Sequence, residues 1–144
     1  MLPKEHFIYA IVPAIIISFY NPIYALLFLA STILIDIDHY AAFVSSFKKY
    51  NLKAAAKFYT NDLYHYLLKH KVKVFLLFHN IETFIILLLL SAFFPSIYPV
   101  FFGVSFHYLL DLCRDYITNK RFVREESAIL YLFKRKKFSL KEVT

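Results

Sequence analysis

The most informative stretch of the chain is an apolar segment that carries three ionisable side chains. His107, Asp111 and Asp115 recur at every fourth residue between Gly103 and Thr118. This spacing places all three on one face of a helix, because an α-helix repeats every 3.6 residues. Imidazole and carboxylate groups are costly to bury in an apolar helix, so they indicate a functional site.

Three other apolar stretches carry groups of the same kind. One begins just after His6, one ends in an Asp-x-Asp-His sequence, and one is interrupted by a His and a Glu. Side chains three or four residues apart are neighbours on a helix, so such pairs can chelate one ion. The candidate metal ligands are His6, Asp36, His39, His79, His107, Asp111 and Asp115.

A divalent metal is the simplest counter-charge for these groups. Five of the ten acids lie at or inside apolar segments, where burial and mutual repulsion disfavour their charged forms. The only basic residues beside them are Lys4 and Arg114. Imidazole with carboxylate favours zinc, or else manganese or iron, over calcium. The number of ligands favours two ions over one, and a metal pair suits phosphoester hydrolysis.

Five side chains have a second interpretation. His6 could cap a helix near the surface, and Asp38 could be solvated at the interface. Glu82 could be hydrogen-bonded to a metal ligand rather than be one. Arg114 could pair with an acid of its own helix or hold a substrate phosphate. Cys113 faces away from the His107 side and is expected to have a packing role; as the only cysteine, it excludes an intrachain disulfide.

The elements that must position the ligands are four apolar runs. The chain is 60% hydrophobic, whereas soluble domains are about 45–50% apolar. Aromatic and aliphatic residues at helical spacing between Tyr40 and Tyr50 predict an amphipathic helix. Its neighbours favour a place in the membrane interface, although a core-facing helix of a soluble protein would show the same stripe. We therefore predict an all-α fold, an integral membrane four-helix bundle with interfacial amphipathic helices. The single domain, residues 1–144, has spans at about 4–20, 23–38, 74–94 and 97–117, a loop at 40–73 and a basic tail at 118–144.

Basic residues indicate how this bundle is oriented. Of the 17 Lys and Arg residues, one lies at the amino terminus, seven in residues 48–73 and nine in residues 114–141. The two turns on the opposite side have none. Lys and Arg collect on the cytoplasmic side, so we predict a multi-pass protein of the inner or plasma membrane with both termini in the cytoplasm. His65 and His70 lie among the lysines and are expected to be solvated.

These motifs resemble the YdjM-like family of inner-membrane-associated metal-dependent hydrolases. The resemblance covers most of residues 1–118. The shared features are an early His (His6), Asp-x-Asp-His (Asp36–His39), a His in the third run (His79), and His-x-x-x-Asp (His107–Asp111). A more distant likeness is to zinc-dependent phospholipase C and the P1-type nucleases, which are all-helical zinc phosphodiesterases. The resemblance implies metal-dependent hydrolysis.

The chain departs from the family pattern at three positions. Ile35 stands where the family usually has Pro before Asp-x-Asp-His. In the middle block, His-Arg-x-x-Thr-His, Asn80 replaces the Arg and Phe84 replaces the second His. Glu82 could substitute as the missing ligand.

The functional prediction is a membrane-embedded metal-dependent hydrolase whose site opens to the cytoplasmic leaflet. Its expected substrate is a phospholipid or another phosphoester, with Glu82 or Asp38 as general base and Arg114 as phosphate clamp. Membrane lipid is an expected partner, and nucleic acid is not. The alternatives are a scaffold or regulatory binder stapled by metal, and a metal or proton transporter. The transporter is disfavoured because residues 84–106 offer no polar relay.

Overall fold

The computed structural model describes residues 3–70, 73–119, 127–133 and 139–143. Within these ranges the regular elements are all helical, which confirms the predicted all-α class. The basic run at 134–137 lies outside the described residues. The α-helices are α1 (Pro3–Ser18), α2 (Pro22–Leu34), α3 (Ile37–Phe47), α4 (Leu52–Lys57), α5 (Leu63–His70), α6 (Ile81–Phe93), α7 (Tyr98–Asn119) and α8 (Ala128–Leu132).

Helices α1, α2 and α7 pack together around a small apolar cluster. Ala10, Ala14 and Phe28 are buried there, and Phe106 packs against them. The alanines have short side chains, so they let the neighbouring helix approach closely, as small residues do at helix crossings in membranes.

The closest crossing lies at Gly103, the only glycine of the chain. A Cβ atom at this position would overlap the Phe28 carbonyl oxygen and the Ser31 hydroxyl of α2. The Thr32 hydroxyl also lies 3.1 Å from the Gly103 carbonyl oxygen, within hydrogen-bonding distance. The crossing therefore fixes α7 against the carboxyl end of α2. His107 lies one turn further along α7, so the crossing also brings His107 to the carboxyl end of α2.

Helices α2 and α3 are separated by a short break. The predicted span 23–38 reads as one helix, but α2 ends at Leu34 and α3 begins at Ile37. Asp36 occupies the break, with φ −67° and ψ −3°. The side chain of Asp36 therefore need not point in the direction that the helical repeat of α2 or of α3 would impose.

The predicted loop 40–73 folds into a helical unit with its own apolar core. Phe43 of α3 packs with Phe58, Leu63 and Leu67, so the apolar stripe of α3 is covered by protein. A π-helical turn, Phe58–Asp62, joins α4 to α5 without interruption. His65 and His70 are exposed, as predicted.

The third apolar run is helical only in its second part. Residues 73–80 are not helical, and α6 has 13 residues, which rise about 20 Å. The helix begins late because Asn80 has extended backbone angles and its side chain accepts a hydrogen bond from the Thr83 amide at 3.0 Å. The prediction of a helical span over 74–94 is therefore wrong for its first seven residues, and His79 and Glu82 are not one turn apart on a helix.

Two helices of the described chain are long and apolar enough to cross a membrane. They are Pro22–Phe47, counted across the break at Asp36, and Pro95–Ile117. Only 28% of the most apolar 18-residue window of each is buried, whereas a core helix of a soluble protein would be mostly buried. Helices α1 and α6 also expose rows of large apolar side chains. Apolar surface of this extent favours contact with lipid.

Candidate metal centre

The structure brings six of the seven predicted ligands together at one end of the helices. They come from five places in the chain, which pack around the amino end of α1 and the carboxyl end of α2. The ligands are His6 of α1, Asp36 of the break, His39 of α3, His79 before α6, and His107 and Asp111 of α7.

These residues form two groups that could each hold a metal ion. In both groups the ligand atoms lie within 4.8 Å of one another. Asp36 belongs to both, so one carboxylate could bridge two ions. The first group is His6, Asp36, His107 and Asp111, and the second is Asp36, His39 and His79.

The orientation of two imidazole rings is the clearest sign of a cation. The Nδ1 atom of His107 donates to the Thr32 carbonyl oxygen at 2.7 Å, and Nδ1 of His79 donates to Asp38 Oδ2 at 3.0 Å. In the neutral rings these bonds leave a lone pair on each Nε2. The two Nε2 atoms nevertheless lie 3.0 Å apart, and His107 Nε2 lies 3.0 Å from Asp111 Oδ2. Acceptors that face each other this closely repel unless a metal ion or a shared proton lies between them, so the arrangement can accommodate a metal ion.

The surroundings of His6 also suit a metal ion at this centre. Its side chain is completely buried, and neither ring nitrogen has a hydrogen-bond partner within the described part of the chain. The ring stacks on His107 with centroids 3.8 Å apart, and Nε2 lies 3.4 Å from Asp111 Oδ1. Buried polar atoms are normally satisfied, so Nε2, the nitrogen that faces Asp111, could bind a metal ion. The alternative of a helix cap near the surface is wrong.

Asp38 orients two of the histidines. Its Oδ1 lies 2.9 Å from His39 Nδ1, while Oδ2 accepts from the Phe78 amide at 2.8 Å and from His79 Nδ1. The residue is 5% exposed, so the solvated alternative is wrong. At His79 the Asp38 carboxylate holds the far nitrogen, which fixes the tautomer and the ring orientation of a metal-binding histidine. At His39 the carboxylate contacts Nδ1, the same nitrogen that lies 3.4 Å from Asp36. This position gives Asp38 a positioning role in place of the predicted general base.

Glu82 lies outside both ligand groups. Its carboxylate accepts hydrogen bonds from the Ser127 hydroxyl at 2.5 Å, the Ala128 amide at 2.8 Å and the Ile129 amide at 3.1 Å. Free amides at a helix start attract carboxylates. Glu82 therefore anchors α8, and the geometry does not support the predicted roles of ligand or general base.

A small polar cavity of about 60 Å³ lies beside His39. Arg114 and Asp115 of α7 form one wall. Asp115 is buried but belongs to neither ligand group, in contrast to its prediction as a ligand. Arg114 lies 3.9 Å from Glu5, which is too loose a pairing to occupy the guanidinium. The cavity has room for a few water molecules.

The opposite wall carries a residue that the sequence analysis missed. Tyr59 lies in the π-helical turn, and its ring meets His39 edge-on at 4.8 Å. Its hydroxyl is buried and has no hydrogen-bond partner among the residues the structure describes. Burial raises the pKa of the Tyr59 phenol, and the nearby Asp38 carboxylate adds to the shift, so the group stays a neutral donor.

Chemically, the arrangement can hold one or two cations in a largely buried centre of four imidazoles and two carboxylates, next to a cavity with an arginine and a phenol. A comparison with models of protein families, with curated proteins and with solved structures finds no match for the chain.

Proposed function

We propose that the chain is a membrane-embedded, metal-dependent hydrolase of phosphoesters, as expected from the YdjM-like resemblance. The observation that carries the proposal is the convergence of His79 Nε2 and His107 Nε2, at 3.0 Å, beside the Asp111 carboxylate. Nitrogen and oxygen lone pairs that meet in a buried space can hold a metal ion, which supports the proposed centre. The ligand types favour zinc, with manganese or iron as alternatives.

The proposed membrane arrangement has four embedded helices, α1, α2, α6 and α7. Helices α1 and α6 are shorter than the hydrocarbon core, which is about 30 Å thick, but their outward side chains are apolar. Both termini and the α3–α5 unit would lie on the cytoplasmic side with the basic residues. This orientation places the metal centre in the cytoplasmic half of the membrane, at the base of the α3–α5 unit.

Each neighbouring side chain then has a role. Divalent ions held by the two ligand groups would supply Lewis-acid activation of water and of the phosphoester. Arg114 holds the phosphate, since a guanidinium matches phosphate oxygens in geometry and charge. Tyr59 donates a hydrogen bond from the other wall of the cavity. Asp115, which shares the wall with Arg114, accepts the proton of the attacking water.

The shared ligand provides the test. Asp36→Asn weakens both ligand groups, so the purified variant should lose most of its metal, whereas His39→Ala should lose one ion of two. His65→Ala is the control, because His65 is exposed on α5. Metal content by mass spectrometry and chelator-sensitive hydrolysis of phosphodiesters are measured on the same samples. Equal metal content in Asp36→Asn and His65→Ala would refute the centre.

A second outcome separates the hydrolase from its main rival. Protein that binds metal through Asp36 but hydrolyses no phosphoester would be a scaffold in which the ions staple the helices. The occupied oxygens of Asp38 and Glu82 favour this rival, because they remove two predicted general bases. The proposed hydrolysis therefore depends on Asp115 as the general base.

A further inference from the structure

An apolar groove of about 480 Å³ opens between α2 and α6. Its volume is in the range of about 300–1,000 Å³ found for ligand pockets. Leu34, Leu77 and Ile86 stand at its rim and are 60%, 60% and 56% exposed. Val104 of α7 forms its floor and is only 8% exposed. A groove with these walls suits a hydrocarbon chain.

The inner end of the groove is made by sequence neighbours of metal ligands. Ile35 lines the groove and precedes the shared ligand Asp36. Phe78 lines it and precedes His79. Val104, the floor, lies three residues before the ligand His107. Three separate elements therefore bring the groove to the edge of the metal centre.

The segment before α6 separates this groove from the polar cavity. Val74 and Leu76 line the cavity, while Leu77 and Phe78 line the groove. His79 follows directly and reaches the metal centre. The centre thus has a polar site on one side and an apolar site on the other, which matches the two ends of an amphiphile.

We propose that the groove holds one acyl chain of a membrane phospholipid and so presents its phosphoester to the metal centre. This inference rests on the proposed function and names its substrate. The rim residues face the region assigned to lipid, so a chain can enter sideways from the bilayer. Hydrocarbon is as apolar as the groove wall, so the transfer is close to neutral in free energy. The groove therefore selects its lipid by the shape of the acyl chain and by the orientation that it gives to the headgroup.

The test compares two tryptophan variants of α6. Ile86→Trp fills the groove, whereas Ile85→Trp is the matched control, because Ile85 is 47% exposed on the same helix and does not line the groove. A phospholipid with a photoreactive diazirine in one acyl chain is cross-linked in bilayers and the labelled residues are mapped by mass spectrometry. Val104 should be labelled through the groove, and the exposed Phe102 reports general lipid contact.

Ile86→Trp should reduce labelling of Val104 and turnover of a long-chain phospholipid about tenfold, as expected for an overpacked site. Labelling of Phe102 should stay within about twofold. Ile85→Trp should keep labelling of Val104, turnover of the phospholipid and hydrolysis of the water-soluble bis(p-nitrophenyl) phosphate within about twofold of the wild type. An unlabelled Val104 in the wild type, or equal labelling of Val104 in both tryptophan variants, would overturn the proposal that the groove holds an acyl chain. Selective labelling of Val104 without hydrolysis of either ester would support the groove and overturn the hydrolase.

Discussion

Substitution of Gly103 by alanine tests how the helix crossing builds the metal centre. In an ordinary helix the change stabilises by about 1 kcal/mol. Here the new Cβ would overlap the Phe28 carbonyl oxygen, which is backbone and cannot rotate away. Helices α2 and α7 would have to separate by roughly 1 Å to restore van der Waals contact. Overpacking of this kind costs about 1–3 kcal/mol, so we expect a net loss of up to about 2 kcal/mol.

The effect on metal binding should exceed the effect on stability. His107 Nδ1 is held 2.7 Å from the Thr32 carbonyl next to the crossing, so the ligand moves with α7. Metal–ligand distances tolerate only about 0.2 Å, much less than the expected displacement. The assay is metal content together with thermal unfolding of Gly103→Ala in detergent.

Two variants separate the causes. Ser31→Ala alone should behave like the wild type, because it only removes a hydroxyl beside the crossing. Ser31→Ala combined with Gly103→Ala should remain defective, because the overlap with the Phe28 carbonyl persists. If Gly103→Ala were as stable as the wild type and bound as much metal, the crossing would not set the position of His107.

Three further predictions follow from the site and its orientation. Asp115→Asn should keep its metal and lose hydrolysis, whereas loss of metal would make Asp115 the ligand that the sequence predicts. Glu82→Ala should speed hydrogen exchange of the first amides of α8 severalfold without changing metal content, and reduced metal would restore Glu82 to the centre. In a Cys113→Ser background, cysteines at Ser46 and Ser96 should react with impermeant reagents from opposite sides of the membrane; reaction from one side contradicts the four-span arrangement.

The clustering of the histidines and aspartates was predictable because burial and helical spacing both restrict where such side chains can lie. His107 and Asp111 are one turn apart on a long apolar helix, and few arrangements can satisfy such groups except a shared polar centre. The same logic predicts that His6 and His79 lie at the same end as these residues, since the polar groups of all four runs fall near the basic side. The structure agrees for each of them.

The roles of other residues depend on local structure that the sequence pattern does not encode. Glu82 has the chemistry of a ligand, but its partners are the amides of α8, which lies 46 residues further along the chain. Hydrophobicity extends the third span back to Val74, whereas the Asn80 cap delays the helix to Ile81. Tyr59 contacts His39 from within a π-helical turn, and no pattern in the sequence indicated that turn.

The break between α2 and α3 explains why the Asp-x-Asp-His sequence can serve the whole centre. In a continuous helix, residues two apart point to opposite sides, so Asp36 and Asp38 could not approach one ring. With the break, Asp36 Oδ1 lies 3.6 Å from His79 Nε2 and Asp38 Oδ2 lies 3.0 Å from His79 Nδ1. The two carboxylates therefore lie beside opposite nitrogens of one imidazole. The interruption of the helix at Asp36 is thus what lets one short motif bring both carboxylates to the same histidine.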